Sequence, residues 1–281
     1  MKKALILSVV IVIVFVFACQ QTVKKNKQGI VVLSPEIAEI ICALNAEEEI
    51  TGITAECNYP PSLKAKKVVG SFSKINPESI LALNPEYVFC SSLEQEGIAS
   101  DLRNLGFQVE VIYPESISEM LAAIERIGIL LDRNEEAMKL VNQFSQELEA
   151  IKRNSQGKPH PKVYLEIYRN PLMSVSDASL IGELIETAGG DNIFPTLERD
   201  YARVNPEAVI AANPDIMICY SQDTLENIIN RKGWQNIPAI KNRRIYFERD
   251  INPDLIQRAT PRCVEGMKIL ANIFAAWQKE Q

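Results

Sequence analysis

Residues 76 to 92 read NPESILALNPEYVFCSS, and residues 205 to 221 read NPEAVIAANPDIMICYS. Laid over each other at a constant offset of 129, the stretches agree at eight of seventeen positions: Asn76, Pro77, Glu78, Ala82, Asn84, Pro85, Cys90 and Ser92 against Asn205, Pro206, Glu207, Ala211, Asn213, Pro214, Cys219 and Ser221. Each copy carries the same local instructions. An Asn suits a helix N-cap, a Pro fits the first helical position, and the Glu that follows faces the positive end of the helix dipole. The helix must stop before the second Asn-Pro, because proline donates no amide and pushes its predecessor out of helical geometry. Tyr87-Val88-Phe89 and Ile216-Met217-Ile218 then form continuous rather than alternating apolar runs, which predicts strands buried on both faces of a parallel sheet. A helix–strand unit repeated at this distance predicts two α/β lobes.

The surrounding sequence alternates in the same way. Strands are predicted over Ile30 to Leu33, Phe107 to Ile112 and Val163 to Ile167, and helices over Glu36 to Leu44 and Leu180 to Thr187, the latter closing at Gly189-Gly190. Between the halves, Ser116 to Asn154 holds helix formers with apolar residues at helical spacing. Asp132 and Glu135 have the spacing of a capping box, so one helix is predicted to end near Leu131 and a second to run from about Arg133 to Lys152. At 1.5 Å per residue the second would be roughly 30 Å long, a stiff strut that disfavours large hinge closure. The predicted fold is therefore α/β, two Rossmann-like lobes with separate cores joined by one long rigid interdomain helix. The expected boundaries are 30–131 for the first lobe, 132–154 for the helix and 155–281 for the second lobe.

Before residue 30 the chain reads differently. Lys2 and Lys3 precede an apolar run from Ala4 to Phe17, the layout of a secretory signal and shorter than the roughly 20 apolar residues that span a bilayer. Val16-Phe17-Ala18-Cys19 resembles a bacterial lipoprotein box. That resemblance implies cleavage after residue 18, lipidation of Cys19, a polar tether over 19–29 and a location in the periplasm or on the outer face of the cytoplasmic membrane. Loss of residues 1–18 removes two of 30 basic residues and none of 36 acids, leaving 28 against 36, a net charge of −8. This offers no basic footprint for nucleic acid. Five cysteines remain, Cys42, Cys57, Cys90, Cys219 and Cys263, and an odd number cannot all pair internally.

Several motifs in order resemble the substrate-binding proteins of ABC importers for vitamin B12, iron-siderophores and haem. They are Leu33-Ser34-Pro35 with Glu39, Asn58-Tyr59-Pro60-Pro61 with Val69-Gly70, the two Asn-Pro-Glu segments, and Gly189-Gly190-Asp191-Asn192-Ile193-Phe194. Gly233-Trp234 with Ile237 to Asn242, and Arg258-Ala259-Thr260-Pro261-Arg262, complete the set. The resemblance implies a monomeric receptor that holds a small molecule between its lobes and delivers it to a permease dimer with its ATPase. It also implies that Glu78 and Glu207 dock on the permease. The sequence agrees independently, since one acid per lobe suits a two-fold symmetric partner. The ligand site is expected between the lobes at the carboxyl ends of the strands. By resemblance, Phe72 and Tyr201 are the aromatics against the ligand, each six residues before its docking glutamate, and Asp254 and Arg258 touch the ligand's polar groups. Glu56 stands where an aromatic is expected, and Tyr168 is a further candidate. The implied ligand is a corrinoid, with a ferric siderophore or haem as the alternative; Arg169, Arg203 and Arg258 together in the cleft would favour an anionic siderophore.

No cofactor or metal site is expected, because His160 is the only histidine and lies between two prolines. The chain has no GxSxG, no HExxH and no phosphate-cradling glycine loop, which argues against an enzyme such as a chelatase on the same bilobal fold. A surface adhesin that reuses the receptor fold is the third reading.

Overall fold

A computed structural model describes residues 29–91 and 95–281. Cys19, the expected signal and tether up to residue 28, and Ser92 of the repeat lie outside the described residues. The first lobe contains β1 (Ile30–Val32), α1 (Pro35–Ala43), β2 (Ile50–Ile53) and β3 (Lys67–Val68), followed by a hairpin of β4 (Gly70–Ser71) and β5 (Lys74–Ile75). It continues through α2 (Pro77–Leu83), β6 (Tyr87–Cys90), α3 (Glu96–Asn104) and β7 (Val109–Val111). Its sheet is parallel throughout, in the order β3-β2-β1-β6-β7.

Two helices follow, α4 (Ile117–Leu130) and α5 (Asn134–Ser155), the second 22 residues or about 33 Å long. The second lobe runs through β8 (Lys162–Glu166), β9 (Tyr168–Arg169), β10 (Leu172–Val175), α6 (Leu180–Thr187), β11 (Asp191–Asn192) and β12 (Tyr201–Arg203). It ends with α7 (Pro206–Ala212), β13 (Ile216–Cys219), α8 (Leu225–Ile229), α9 (Pro238–Lys241), β14 (Ile245–Phe247) and α10 (Cys263–Gln278). A parallel sheet in the order β11-β8-β13-β14 is flanked by an antiparallel β12-β10-β9 sheet. This is the α/β bilobal architecture the repeat predicts.

The two repeat helices α2 and α7 start as their sequence dictates. The Asn76 Oδ1 accepts from the Ser79 amide at 3.2 Å and the Asn205 Oδ1 from the Glu207 amide at 2.9 Å. They stop before the second proline of each copy, where Asn84 (φ 44°) and Asn213 (φ 54°) adopt the left-handed conformation that closes a helix C-terminus. The expected capping box at Asp132 does not form. Asp132 has φ 58° and terminates α4 instead, with the Arg133 amide donating back to the Gly128 carbonyl at 2.7 Å, so its backbone is not available as an N-cap.

The expectation of separate cores is also corrected. One continuous apolar cluster joins α1, α4, α5, α6 and α10, with Ile37, Ile124, Phe144, Leu184 and Phe274 all at or below 3 % exposure. Only the outer face of each sheet has its own cluster, around Val31 and Val88 in the first lobe and around Tyr164 and Trp234 in the second. Across the junction, Glu183 of α6 accepts from the Ile117 amide at the start of α4 at 2.7 Å. Shared burial of this extent resists relative motion of the lobes, because opening would expose apolar surface at about 25 cal/mol per Å².

Candidate functional site in the interlobe cleft

The amino ends of α1 and α6 point at a common cleft with a cavity of about 80 Å³. The first lobe supplies Glu36, at the start of α1, and Tyr113, Pro114 and Glu115, which follow β7. The second supplies Ser179 and Leu180 at the start of α6, Asp200 and Tyr201 leading into β12, and Gln257, Arg258 and Ala259. A second, more open space of about 390 Å³ lies at the carboxyl ends of β13 and β14, bordered by Cys219, Asp223, Phe247 and Arg249. Both sit where open α/β sheets bind ligands.

Local structure holds each wall residue in place. Ser34 caps α1 through its Oγ, and Glu36 in the first turn accepts from the Ser91 Oγ at 2.7 Å. Tyr201 pairs with Val175 across β12 and β10, and the Ser176 amide donates to the Asp200 carbonyl at 2.9 Å. Partial burial, with Tyr113, Asp200 and Glu115 beside it, pushes the Tyr201 phenol up to about 12. The cavity is thus an acidic, tyrosine-walled space.

Of the residues expected at the ligand, Tyr201 and Arg258 line this cavity, whereas Phe72, Glu56, Tyr168 and Asp254 are absent from its described wall. Phe72 sits at the turn between β4 and β5, braced on both sides of its peptide unit. Its amide donates to Glu56 Oε2 at 2.8 Å and its carbonyl accepts from the buried Gln95 Nε2 at 3.0 Å. Glu56 therefore orients the hairpin that carries Phe72. Asp254 pairs with Arg258 at 3.1 Å, and Tyr168 is exposed on β9. Glu78 and Glu207 are exposed on the first turns of α2 and α7.

The three arginines expected as anion ligands are not equivalent. Arg258 is engaged by Glu39 at 2.8 Å and by Asp254, and Arg169 by Asp223 at 2.6 Å, while Arg203 is exposed on β12. Asp223 also accepts from Arg231 at 2.8 Å, and Arg231 forks onto the fully buried Glu166 at 2.5 and 2.7 Å. Burial opposes ionisation of Asp223, but its bonds to Arg231 and Asn227 and the Arg169 charge hold it below the usual carboxylate range. Glu36, Tyr113, Glu115 and Asp200 were missed in the sequence. Tyr113-Pro114-Glu115 directly follows a predicted strand, and that was the available signal. Among the described residues no group of three or more His, Cys, Asp or Glu is arranged to hold a metal ion, the five cysteines are free thiols, and no helix is long and apolar enough to cross a membrane.

The periplasmic binding protein family model matches residues 30–250. An uncharacterised ABC transporter substrate-binding lipoprotein of Bacillus subtilis, YvrC, is 27 % identical over 258 residues, covering 89 % of this chain and 81 % of its own. The vitamin B12-binding protein of Salmonella paratyphi A is 26 % identical over 250 residues, covering 88 % and 90 %. The fold is shared with the periplasmic haem-binding protein RhuT of Roseiflexus, at a TM-score of 0.79 and 22 % identity over 89 % of this chain and 99 % of that one. A match running from β1 through β14 takes in elements of both lobes and every residue of the cavity wall except Gln257, Arg258 and Ala259, and the chain belongs to the periplasmic binding protein family.

Proposed function

We propose that the chain is the non-catalytic, extracytoplasmic receptor of an ABC importer, and that it carries a corrinoid in the interlobe cleft to a permease dimer with its ATPase. Names of the relatives support the importer class, and the charge of the cavity supports the ligand. Glu36, Glu115 and Asp200 line the cavity against a single arginine whose charge is already matched by Glu39 and Asp254. Carboxylates accept hydrogen bonds and repel anions, so this wall suits a large neutral or cationic ring system bearing amide donors better than a haem with two propionates or an anionic ferric siderophore. Tyr113 and Tyr201 supply aromatic rings to the cavity wall against which such a ring system can pack, with Phe72 on the first-lobe hairpin.

Residues 28–281 incubated with cyanocobalamin, haem or ferric siderophores and then desalted are expected to retain the corrinoid absorbance. Retention of haem or an anionic ferric siderophore in its place would overturn the ligand reading. Tyr201→Ala and Phe72→Ala are each expected to weaken corrinoid binding by about 1–3 kcal/mol, roughly tenfold to a hundredfold in Kd by calorimetry. An unchanged Kd in the double variant would remove both residues from the site.

The anchor follows from the lipoprotein box around Cys19, and a B. subtilis relative is named a lipoprotein. Cys19→Ser is expected to abolish lipid labelling and to leave the chain unprocessed or released from the membrane fraction. Normal labelling of that variant would show that Cys19 is not the modified residue. Acyl chains contribute about 0.8 kcal/mol per buried CH₂, enough to hold the receptor at the surface where its permease lies.

A further inference from the structure

Glu39 is a carboxylate inside an apolar helix face, 4 % exposed between Ala38 and Ile40. A charge in such surroundings persists only with partners of good geometry. Its partners all come from the other lobe. Arg262 forks onto it, Nε to Oε2 at 2.8 Å and Nη2 to Oε1 at 2.9 Å, and Arg258 donates Nη1 to Oε1 at 2.8 Å. The same Arg258 nitrogen donates to Asn58 Oδ1 at 2.9 Å, and its other arm meets Asp254 at 3.1 Å. Arg262 lies over the ring of Tyr59, 3.5 Å from its centroid. Glu39, Asn58 and Tyr59 thus grip a segment of chain some 200 residues further on. Each guanidinium side chain is only 15 % exposed, so water supplies little alternative solvation. Arg258 also lines the ligand cavity, which places this cluster at its edge.

We propose that Glu39 is a positioning residue that fixes the spacing of the two lobes and withholds the charge of Arg258 from the ligand, so that it sets which charge type the cleft accepts. Two guanidinium groups converge on one carboxylate oxygen. Without that carboxylate they repel each other in a poorly hydrated pocket, the lobes separate at this edge, and Arg258 turns its charge toward the cavity. The spacing effect is independent of ligand identity, whereas the selectivity effect rests on the receptor reading above.

The test uses the full lipidated chain with spin labels on Lys64→Cys and Lys241→Cys, one exposed site per lobe. Burial raises all five described thiols, Cys42, Cys90 and Cys263 to about 12 and Cys57 to about 11, with Cys219 also raised, which disfavours their labelling near neutral pH. Glu39→Gln is expected to give a longer, broader distance distribution than wild type without ligand present. It is also expected to raise the affinity for ferric citrate relative to cyanocobalamin by about tenfold, because Arg258 then keeps only Asp254 as its counter-charge. Glu39→Asp, which keeps the charge, is expected to restore the wild-type preference. In Glu39→Gln with Arg258→Gln the gain for the anion is expected to vanish while the lobe spacing stays perturbed. Where Glu39→Gln does not fold, Arg262→Gln opens the same fork and carries the spacing measurement. A wild-type distance distribution, or an anion gain that survives loss of Arg258, would overturn the proposal. Wild-type protein that binds neither ligand would sink the ligand reading and leave the distance test of Glu39 intact.

Discussion

Arg231→Met is expected to destabilise the protein by about 3–5 kcal/mol in urea or guanidinium unfolding at neutral pH. The size follows from what the substitution leaves behind. Glu166 is fully buried at the end of β8, where its carboxylate accepts from both arms of Arg231 and also from Ser221 Oγ at 2.5 Å and Tyr164 Oη at 3.2 Å. Asp223, with a side chain 1 % exposed, shares the same guanidinium. Removing the cation strands one buried carboxylate entirely and leaves the other with Arg169 and Asn227. The two hydroxyl donors do not cancel a full charge in a dry site. Arg231 also lies 4.5 Å from the Trp234 ring centroid, a contact Met keeps only in part.

The pH dependence gives this prediction a sign. In wild type the folded-state titration of Asp223 is lowered, so its contribution is present above the unfolded value near 3.9 and is lost as pH falls through the lower folded value. Acid therefore weakens the wild type. In Arg231→Met Asp223 keeps only the Arg169 charge and Glu166 has no cation beside it, so protonation relieves part of the penalty of the buried carboxylates. The gap between the two proteins should narrow as pH drops from 7 toward 4. A stability loss below about 1 kcal/mol at neutral pH, the range of exposed ion pairs, would show that this network does not hold the lobe together.

What the sequence disclosed and what it concealed divide along the distance over which each instruction acts. Asn76-Pro77-Glu78 and Asn205-Pro206-Glu207 are legible because a cap, a first-turn proline and a dipole partner act within four residues. Strands β6 and β13 are legible because their apolar runs are continuous over both faces. At Asp132 a local rule misleads, since the same residue serves either the end of one helix or the start of the next, and the Schellman closure of α4 wins. Glu39 and its arginines lie 219 and 223 residues apart in the chain, and no periodicity joins them. Their types are visible in the sequence, and their convergence exists only once α1 and the segment before α10 are packed on one core. The same holds for the cavity acids. Glu36 looks like an ordinary dipole partner, and only the approach of Asp200 and Glu115 makes the wall electrostatically distinctive. The resemblance implies Phe72 and Tyr201 as a matched pair, and the sequence gives them a common spacing from the repeat, yet β12 sets Tyr201 into the cavity wall while Phe72 rides on a separate hairpin.

Charge reversal at both repeat acids, Glu78→Arg with Glu207→Arg, is expected to reduce uptake far more than either single change while leaving ligand affinity nearly untouched. Both carboxylates are exposed on the first turns of α2 and α7, and neither is in the described wall of the interlobe cavity. Burial behind them is the same in each lobe, with Ile80 and Val209 at 0 % exposure anchoring the helices, so replacement of the outward acid leaves the packing intact. On the docking role that the family resemblance implies, each reversed charge would face a basic permease surface as a like charge, a contact that costs several kcal/mol in a formed interface. One intact lobe keeps half of the complementary surface and can hold the complex in register, which makes the double change more than additive in its effect on transport. Loss of the favourable first-turn charge also weakens each helix start by about 0.3–1 kcal/mol, too little to unfold a lobe. Calorimetry on the purified receptor and uptake by cells carrying the matching permease would be read side by side, with circular dichroism to show that the fold is kept. Normal uptake by the double variant, or a fall in ligand affinity that tracks the fall in uptake, would refute the docking role. The duplication at offset 129 would then record only a shared way of starting a helix.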